Sequence, residues 1–376
     1  MVGLAILLLV QSAGSFALAG LTVAAFAGGS AVGGVAQARR IDRTRQTPAR
    51  VASGLAHPLA LALLVPAARA AALPALLGLG VVAGAAAPQL SACMRALWIE
   101  LLPEGRRRAA AFALEAVLVE AVFLVGPALV AGLLALTGPA GVLLLAAAAS
   151  GTGTVGLAAT GASRAWRGRS PVSRQSGTRL AGPLSSPAIR LVLAAAVLFG
   201  IGDGAVQVAV AGFAVRHGSE RLAGLLLTAM SVGSVAAGLA YGTRSWRGSW
   251  AARFAALNWL LGTAVALAAL AMHAGGAPAA VAGALLLAGL AVAPIATENF
   301  LLVDAATPPG TVTEAFAWLV TAVVAGGAAG SALAGQLLDR LGAAPTMLLA
   351  AVAPIAAAVA TWLFGVAVRA ESEPPP

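Results

Sequence analysis

Eleven long apolar stretches dominate this chain, at about 15–37, 50–68, 72–96, 109–136, 139–162, 188–214, 220–242, 250–272, 277–303, 313–337 and 344–368. Each is long enough to cross a hydrocarbon core of about 30 Å as a helix. A twelfth stretch, 1–12, is shorter: the ten residues before Gln11 rise only about 15 Å. Charge is too scarce to coat a water-facing surface. Only 10% of the 376 residues are charged, against about a quarter in a soluble domain. Membrane β-barrels alternate apolar and polar residues over roughly ten positions, whereas these runs are continuous and rich in Ala, Leu, Val and Gly. The fold class they predict is an all-α membrane protein of about twelve helices.

The arginines set the topology. Net charge is +10, and all the basic residues are Arg. Arg39, Arg40, Arg43, Arg45 and Arg50 follow the second stretch; Arg95, Arg106, Arg107 and Arg108 follow the fourth. Arg164, Arg167, Arg169, Arg174, Arg179 and Arg190 bracket the sixth-to-seventh connection. Arg244, Arg247 and Arg253 follow the eighth, and Arg369 the last. Only Arg69, Arg216, Arg221 and Arg340 fall in the alternate connections. By the positive-inside rule the rich side is cytoplasmic, which puts the central linker and the C-terminus there, in a bacterial inner membrane. This placement excludes a nucleic-acid partner. The single Cys93 excludes an internal disulfide. His57, His217 and His273 are scattered without metal-ligand spacing, and there is no phosphate-binding Gly-Lys loop. Neither a cofactor nor enzymatic chemistry is therefore expected.

Residues 163–187 form one basic linker rich in Ser and Gly. It separates an N-terminal half, 1–162, from a C-terminal half, 188–368, and a polar tail at 369–376 is expected to be disordered. The halves are related by a shift of 204 residues. That shift places Gly14-Ser15 on Gly218-Ser219, Leu18-Ala19-Gly20-Leu21 on Leu222-Ala223-Gly224-Leu225, and Ala111-Phe112-Ala113 on Ala315-Phe316-Ala317. Repeats of six helices build several transporter folds. Under the same shift Met1 falls inside the seventh stretch, so the first helix is expected to lack its cytoplasmic half.

Twelve spans, a basic central linker and two six-helix halves resemble the major facilitator superfamily. After its second span that family carries a Gly-x-x-x-Asp-Arg-x-Gly-Arg type loop. The matching stretch here, Ala38 to Gln46, keeps Asp42 and Arg43 and replaces both glycines. Gly126-Pro127 is similar to the Gly-Pro element in the fifth span of the family's antiporters. Thr313-Glu314-Ala315-Phe316-Ala317-Trp318, opening the eleventh span, looks like actinobacterial members. The resemblance implies alternating access, with spans 1, 4, 7 and 10 lining a central cavity. It gives Asp42 a role in closing the cytoplasmic side against span 11. The other reading of that loop is a solvated topogenic cluster.

Charges at membrane depth are functional candidates because they cost several kcal/mol unless paired or hydrated. Glu120 lies about 17 Å along its helix and Asp203 about 22 Å along the seventh, both central. A carboxylate in such a site could bind and release protons, coupling transport to the proton gradient; the alternative is a hydrogen bond to a neighbouring helix. Gln207, one turn after Asp203, shares its face and is a candidate substrate contact. Glu115 is expected to pair with Arg95 at similar depth, a structural ion pair. Glu298 and Asn299, near the cytoplasmic end of the tenth span, are either substrate contacts or a solvated helix end. Gly126-Pro127 predicts a kink, with the glycine-rich eighth span as partner.

These features together predict a monomeric secondary transporter that exports a small, partly apolar molecule in exchange for protons. A uniporter or importer, a transport-inactive remnant and a membrane-embedded lipid enzyme are the alternatives.

Overall fold

The computed structural model describes residues 2–12, 16–70, 72–167, 182–244, 246, 249–275 and 277–372. The described chain is helical almost throughout: α1 (Val2–Ser12), α2 (Phe16–Arg43), α3 (Gln46–Arg69), α4 (Leu73–Ala85), α5 (Leu90–Leu101), α6 (Arg106–Ala158), α7 (Gly161–Ala165), α8 (Pro187–Arg216), α9 (Glu220–Thr243), α10 (Trp250–His273), α11 (Pro278–Ala306), α12 (Val312–Leu341) and α13 (Ala343–Ser372). Among the described residues, eleven spans are long and apolar enough to cross a membrane; α1 is apolar but shorter. The chain is a multi-pass, all-α membrane protein.

Apolar residues occupy both the buried and the exposed faces, and the polar ones turn inward. On α3 the buried face holds Arg50, Ser53 and His57, and Leu55, Leu59 and Leu63 are exposed one turn apart. Lipid accepts leucines, and polar groups must find partners inside. His57 does so, its Nδ1 lying 2.8 Å from the carbonyl of Ala83 on α4.

Two spans differ from their sequence boundaries. The stretch predicted at 72–96 is broken into α4 and α5 by Ala86 to Gln89, and it continues to Leu101. Pro88 cannot donate a backbone hydrogen bond there. Gln37 compensates from α2, its Nε2 donating to the carbonyls of Ala85 and Ala87 at 2.6 and 3.1 Å. The second difference is in α6, where the helix assignment runs through Gly126 and Pro127 and the non-helical residue is Gly138, at φ 67 and ψ 178. That value of φ suits glycine, and the two helices meet where the stretches ending at 136 and starting at 139 predicted a boundary.

The described ends of the linker form α7 and a 3₁₀ turn at Gly182–Ser185; positions 168–181 of the predicted linker lie outside the described residues. Ser186 caps α8, its hydroxyl accepting from the amide of Ile189 at 3.4 Å, with Pro187 opening the helix. At the far end α13 extends to Ser372, so 369–372, expected as disordered tail, are helical; 373–376 lie outside the described residues.

The chain packs as two compact units. The first is 1–101, 125–183 and 308–317; the second is 102–124, 184–307 and 318–376. Neither follows a sequence half throughout, since each includes a segment from the other. The core of the first gathers Ile6, Leu61, Leu64, Leu76 and Leu143. That of the second gathers Val210, Leu226, Phe254, Leu285 and Met347. Small residues set the helix spacing in both. A Cβ on Gly29 or Gly84 would strike the facing backbone across α2 and α4, and one on Gly233 or Gly289 would do so across α9 and α11. The repeat places Gly29 on Gly233, so the two units use one device for close helix approach.

Candidate functional site

The second unit contains both Glu120 and Asp203, although 83 positions separate them. Glu120, on the first part of α6, lies within electrostatic reach of Asp203 on α8, and the Ser234 hydroxyl donates to its carboxylate from α9. Ser234 is fully buried, and its oxygen accepts from the backbone amide of Ala293 at 3.1 Å. That amide belongs to the residue before Pro294, where α11's own hydrogen-bond ladder is interrupted. Asp203 accepts from Gln207 Nε2 at 2.8 Å, one turn along α8, as their shared face predicted. Beside Asp203 a cavity of about 10 Å³, lined by Phe199, Met230, Leu261 and Pro354 among others, has the volume of about one water.

A second polar centre lies in the first unit. Asp42, near the end of α2 and only 3% exposed, accepts from the backbone amides of Thr313 and Glu314 at 3.0 and 2.8 Å. These are first-turn amides of α12, which have no partner within the helix. A carboxylate there also complements the positive end of the helix dipole. Glu314 is gripped by Arg39 through two hydrogen bonds of 2.6 and 3.0 Å. Arg43, expected beside Asp42, is exposed. Below them Arg50 donates to Ser163 at 3.2 Å, and the Arg95 guanidinium lies 5.6 Å from the Phe316 ring. The loop is therefore a buried capping site at Asp42 and a solvated cluster at Arg40, Arg43 and Arg45.

Glu298 is not at a solvated helix end. It is 1% exposed and takes two hydrogen bonds from Arg253, at 2.8 and 3.0 Å, and one from the Tyr241 hydroxyl. The set ties α9, α10 and α11 together. Asn299 is buried beside it, and its Oδ1 has no hydrogen-bond partner among the described residues. Arg108 pairs with Asp304 at 2.8 Å and donates to the carbonyl of Leu102.

Some expected partnerships fall elsewhere. Arg95 belongs to the first unit and Glu115 to the second, so their pairing stays an expectation. The glycines of α9 do receive α6, but at Ala113 and Val117, which meet Gly242 and Gly238. Gly126 is buried, and the side chain of Pro127 lies outside the description. Among the described residues no three or more His, Cys, Asp or Glu side chains gather as a metal site.

Sequence reasoning assigned Arg39 and Arg253 only to topology, and it did not single out Tyr241, Ser234 or Asp304. Depth was the available signal for Arg253, which lies inside the ninth stretch and requires a counter-charge.

The helical architecture is similar to that of solved major facilitator superfamily transporters, the fold that the resemblance in the sequence implied. The resemblance to solved structures extends over nearly the whole chain. An outward-facing bacterial homologue of the iron transporter ferroportin aligns over 97% of this chain and 100% of its own, at 15% identity and a TM-score of 0.70. The major facilitator superfamily transporter FucP, the fucose:proton symporter of E. coli, aligns over 96% and 94%, at 14% identity and a TM-score of 0.71. The human organic anion transporter TETRAN aligns over 91% and 83%, at 17% identity and a TM-score of 0.68. No family profile matches the sequence, and no curated protein does.

Proposed function

We propose that the chain is a proton-coupled secondary transporter that works by alternating access and exports a small, partly apolar molecule. The observation that carries this reading is the presence of Glu120 and Asp203 at membrane depth within electrostatic reach of each other, with Ser234 and Gln207 as their hydrogen-bond donors. A carboxylate at membrane depth can bind and release a proton as its surroundings change. Gln207 is exposed beside Asp203 and offers a polar contact to substrate. The fold shared with solved transporters supports the class.

In this reading Asp42, Glu314 and Arg39 form a latch on the cytoplasmic side. When the amides of Thr313 and Glu314 leave Asp42, the start of α12 is released. Glu298 with Arg253 and Tyr241 holds helices together, and the chain performs no covalent chemistry. It acts as a monomer in a bacterial inner membrane.

The test begins with a resistance screen of expressing cells across compound classes. Transport of a hit is then followed in inverted vesicles under an imposed proton gradient. Glu120→Gln and Asp203→Asn should each abolish gradient-driven uptake while the protein stays in the membrane. Full activity in both variants would remove the coupling role. Uptake in right-side-out vesicles instead would make the chain an importer using the same carboxylates.

A further inference from the structure

A cavity of about 380 Å³ opens beside the connection between α9 and α10. Its walls are apolar: Ala240 of α9, Leu257 of α10, and Leu290 and Pro294 of α11. Its mouth carries Arg244, Trp246 and Arg253, and its lining contains no acid. A site of this volume is in the range that holds a ligand, and none of the chemistry assigned above uses it.

The mouth is built rather than incidental. Trp246 donates from Nε1 to the carbonyl of Tyr241 at 3.0 Å and stacks on the Tyr241 ring, centroids 4.4 Å apart and planes 19° apart. It remains 45% exposed. The Arg244 guanidinium lies 5.9 Å from the Trp246 ring. The positive charge of Arg253 is offset by Glu298. Arg244 is exposed and makes no ion pair among the described residues, so the mouth carries one uncompensated positive charge.

We propose that this groove binds an anionic phospholipid. Arg244 takes the phosphate, Trp246 covers the glycerol region, and an acyl chain lies along Ala240, Leu257 and Leu290. Position favours a lipid over a soluble phosphate. Arg244 caps the end of α9, where a spanning helix reaches the headgroup layer, and Trp is enriched at that depth. The walls then descend between three spanning helices, and Ala240 and Ala256 are exposed along that path. A small phosphate would leave that apolar surface uncovered. A net anionic headgroup matches the uncompensated charge of Arg244 better than a zwitterionic one.

Native mass spectrometry of the full chain, purified in detergent, tests this with added phosphatidylglycerol, phosphatidylcholine or glycerol 3-phosphate. The expected result is one retained phosphatidylglycerol, with weaker retention of phosphatidylcholine and none of glycerol 3-phosphate. Arg244→Gln should weaken phosphatidylglycerol binding about fivefold, the effect of one basic residue at an anionic surface. Ala240→Trp should block it by filling the groove, and Arg69→Gln, an exposed arginine elsewhere, should leave it unchanged. Should Arg244→Gln not fold, Ala240→Trp and the lipid comparison carry the test. Equal retention of the two lipids, binding unaffected by Ala240→Trp, or retention of glycerol 3-phosphate in place of lipid would each overturn the proposal.

Discussion

Two helix starts related by the internal repeat are held by different groups. The shift of 204 residues places the beginning of α6 on the beginning of α12, and the end of α2 on the end of α9. In the first unit the contact is charged, with Asp42 accepting two first-turn amides of α12 and Arg39 gripping Glu314. In the second unit the repeat puts Trp246 at the position of Asp42 and Thr243 at that of Arg39. There α6 opens on three arginines with no acid in its first turn, which opposes the helix dipole. Arg106 donates to the carbonyl of Thr243 at 3.1 Å, and small residues take over the contact, Gly242 against Ala113 and Gly238 against Val117. One helix start is fastened through its own backbone amides; the other packs on α9 through small residues and is held through an arginine side chain, Arg108 on Asp304 at 2.8 Å.

The largest expected break in this comparison is Asp42→Ala. It strands two buried amides and should lower stability by about 2–4 kcal/mol, read as a fall in the thermal unfolding midpoint in detergent. Asp42→Asn should cost less, because one acceptor oxygen remains. Gly238→Val tests the packed contact. Its Cβ meets the side chains of Val117 and Ala293, and overpacking of this kind costs about 1–3 kcal/mol. If Gly238→Val is neutral while Asp42→Ala is not, the second contact is looser than described.

Arg39→Gln comes next, at about 1–2 kcal/mol. The Glu314 side chain it leaves is 3% exposed, whereas that of Arg39 is 30% exposed. Glu314→Gln should therefore be milder than Arg39→Gln, and the double variant milder than their sum in a thermal double-mutant cycle. Arg106→Gln is the smallest, within about 0.5 kcal/mol, since its hydrogen bond to Thr243 is exposed. An effect as large as that of Asp42→Ala would show that the two starts are held alike.

Much of this architecture was legible in the sequence because lipid is an exacting solvent. Continuous apolar runs gave the spans, and the boundary between the stretches ending at 136 and starting at 139 falls at the turn inside α6. The repeat identified Glu120 as a departure from the shared scaffold, since its counterpart is Val324. Partner choice was less legible. Arg39 meets a glutamate 275 positions away, and Arg253 meets one 45 positions away. Hydropathy says that a helix exists and which solvent it wants. It does not say which neighbour a long, flexible guanidinium will reach. Asp42 was found because its motif carries the information, whereas Glu298 sits in no motif, and burial alone defines its role.

The exchange of short segments between the units has a consequence for biosynthesis. The first unit includes 308–317, which the ribosome makes after the whole stretch 184–307. At about 5–20 residues per second that delay is roughly 6–25 s. Throughout it Asp42 has no amides to receive, and Arg39 has no glutamate. The nascent N-terminal helices wait through that interval without the contact that closes over Asp42, and the start of α12 is the piece that completes their unit.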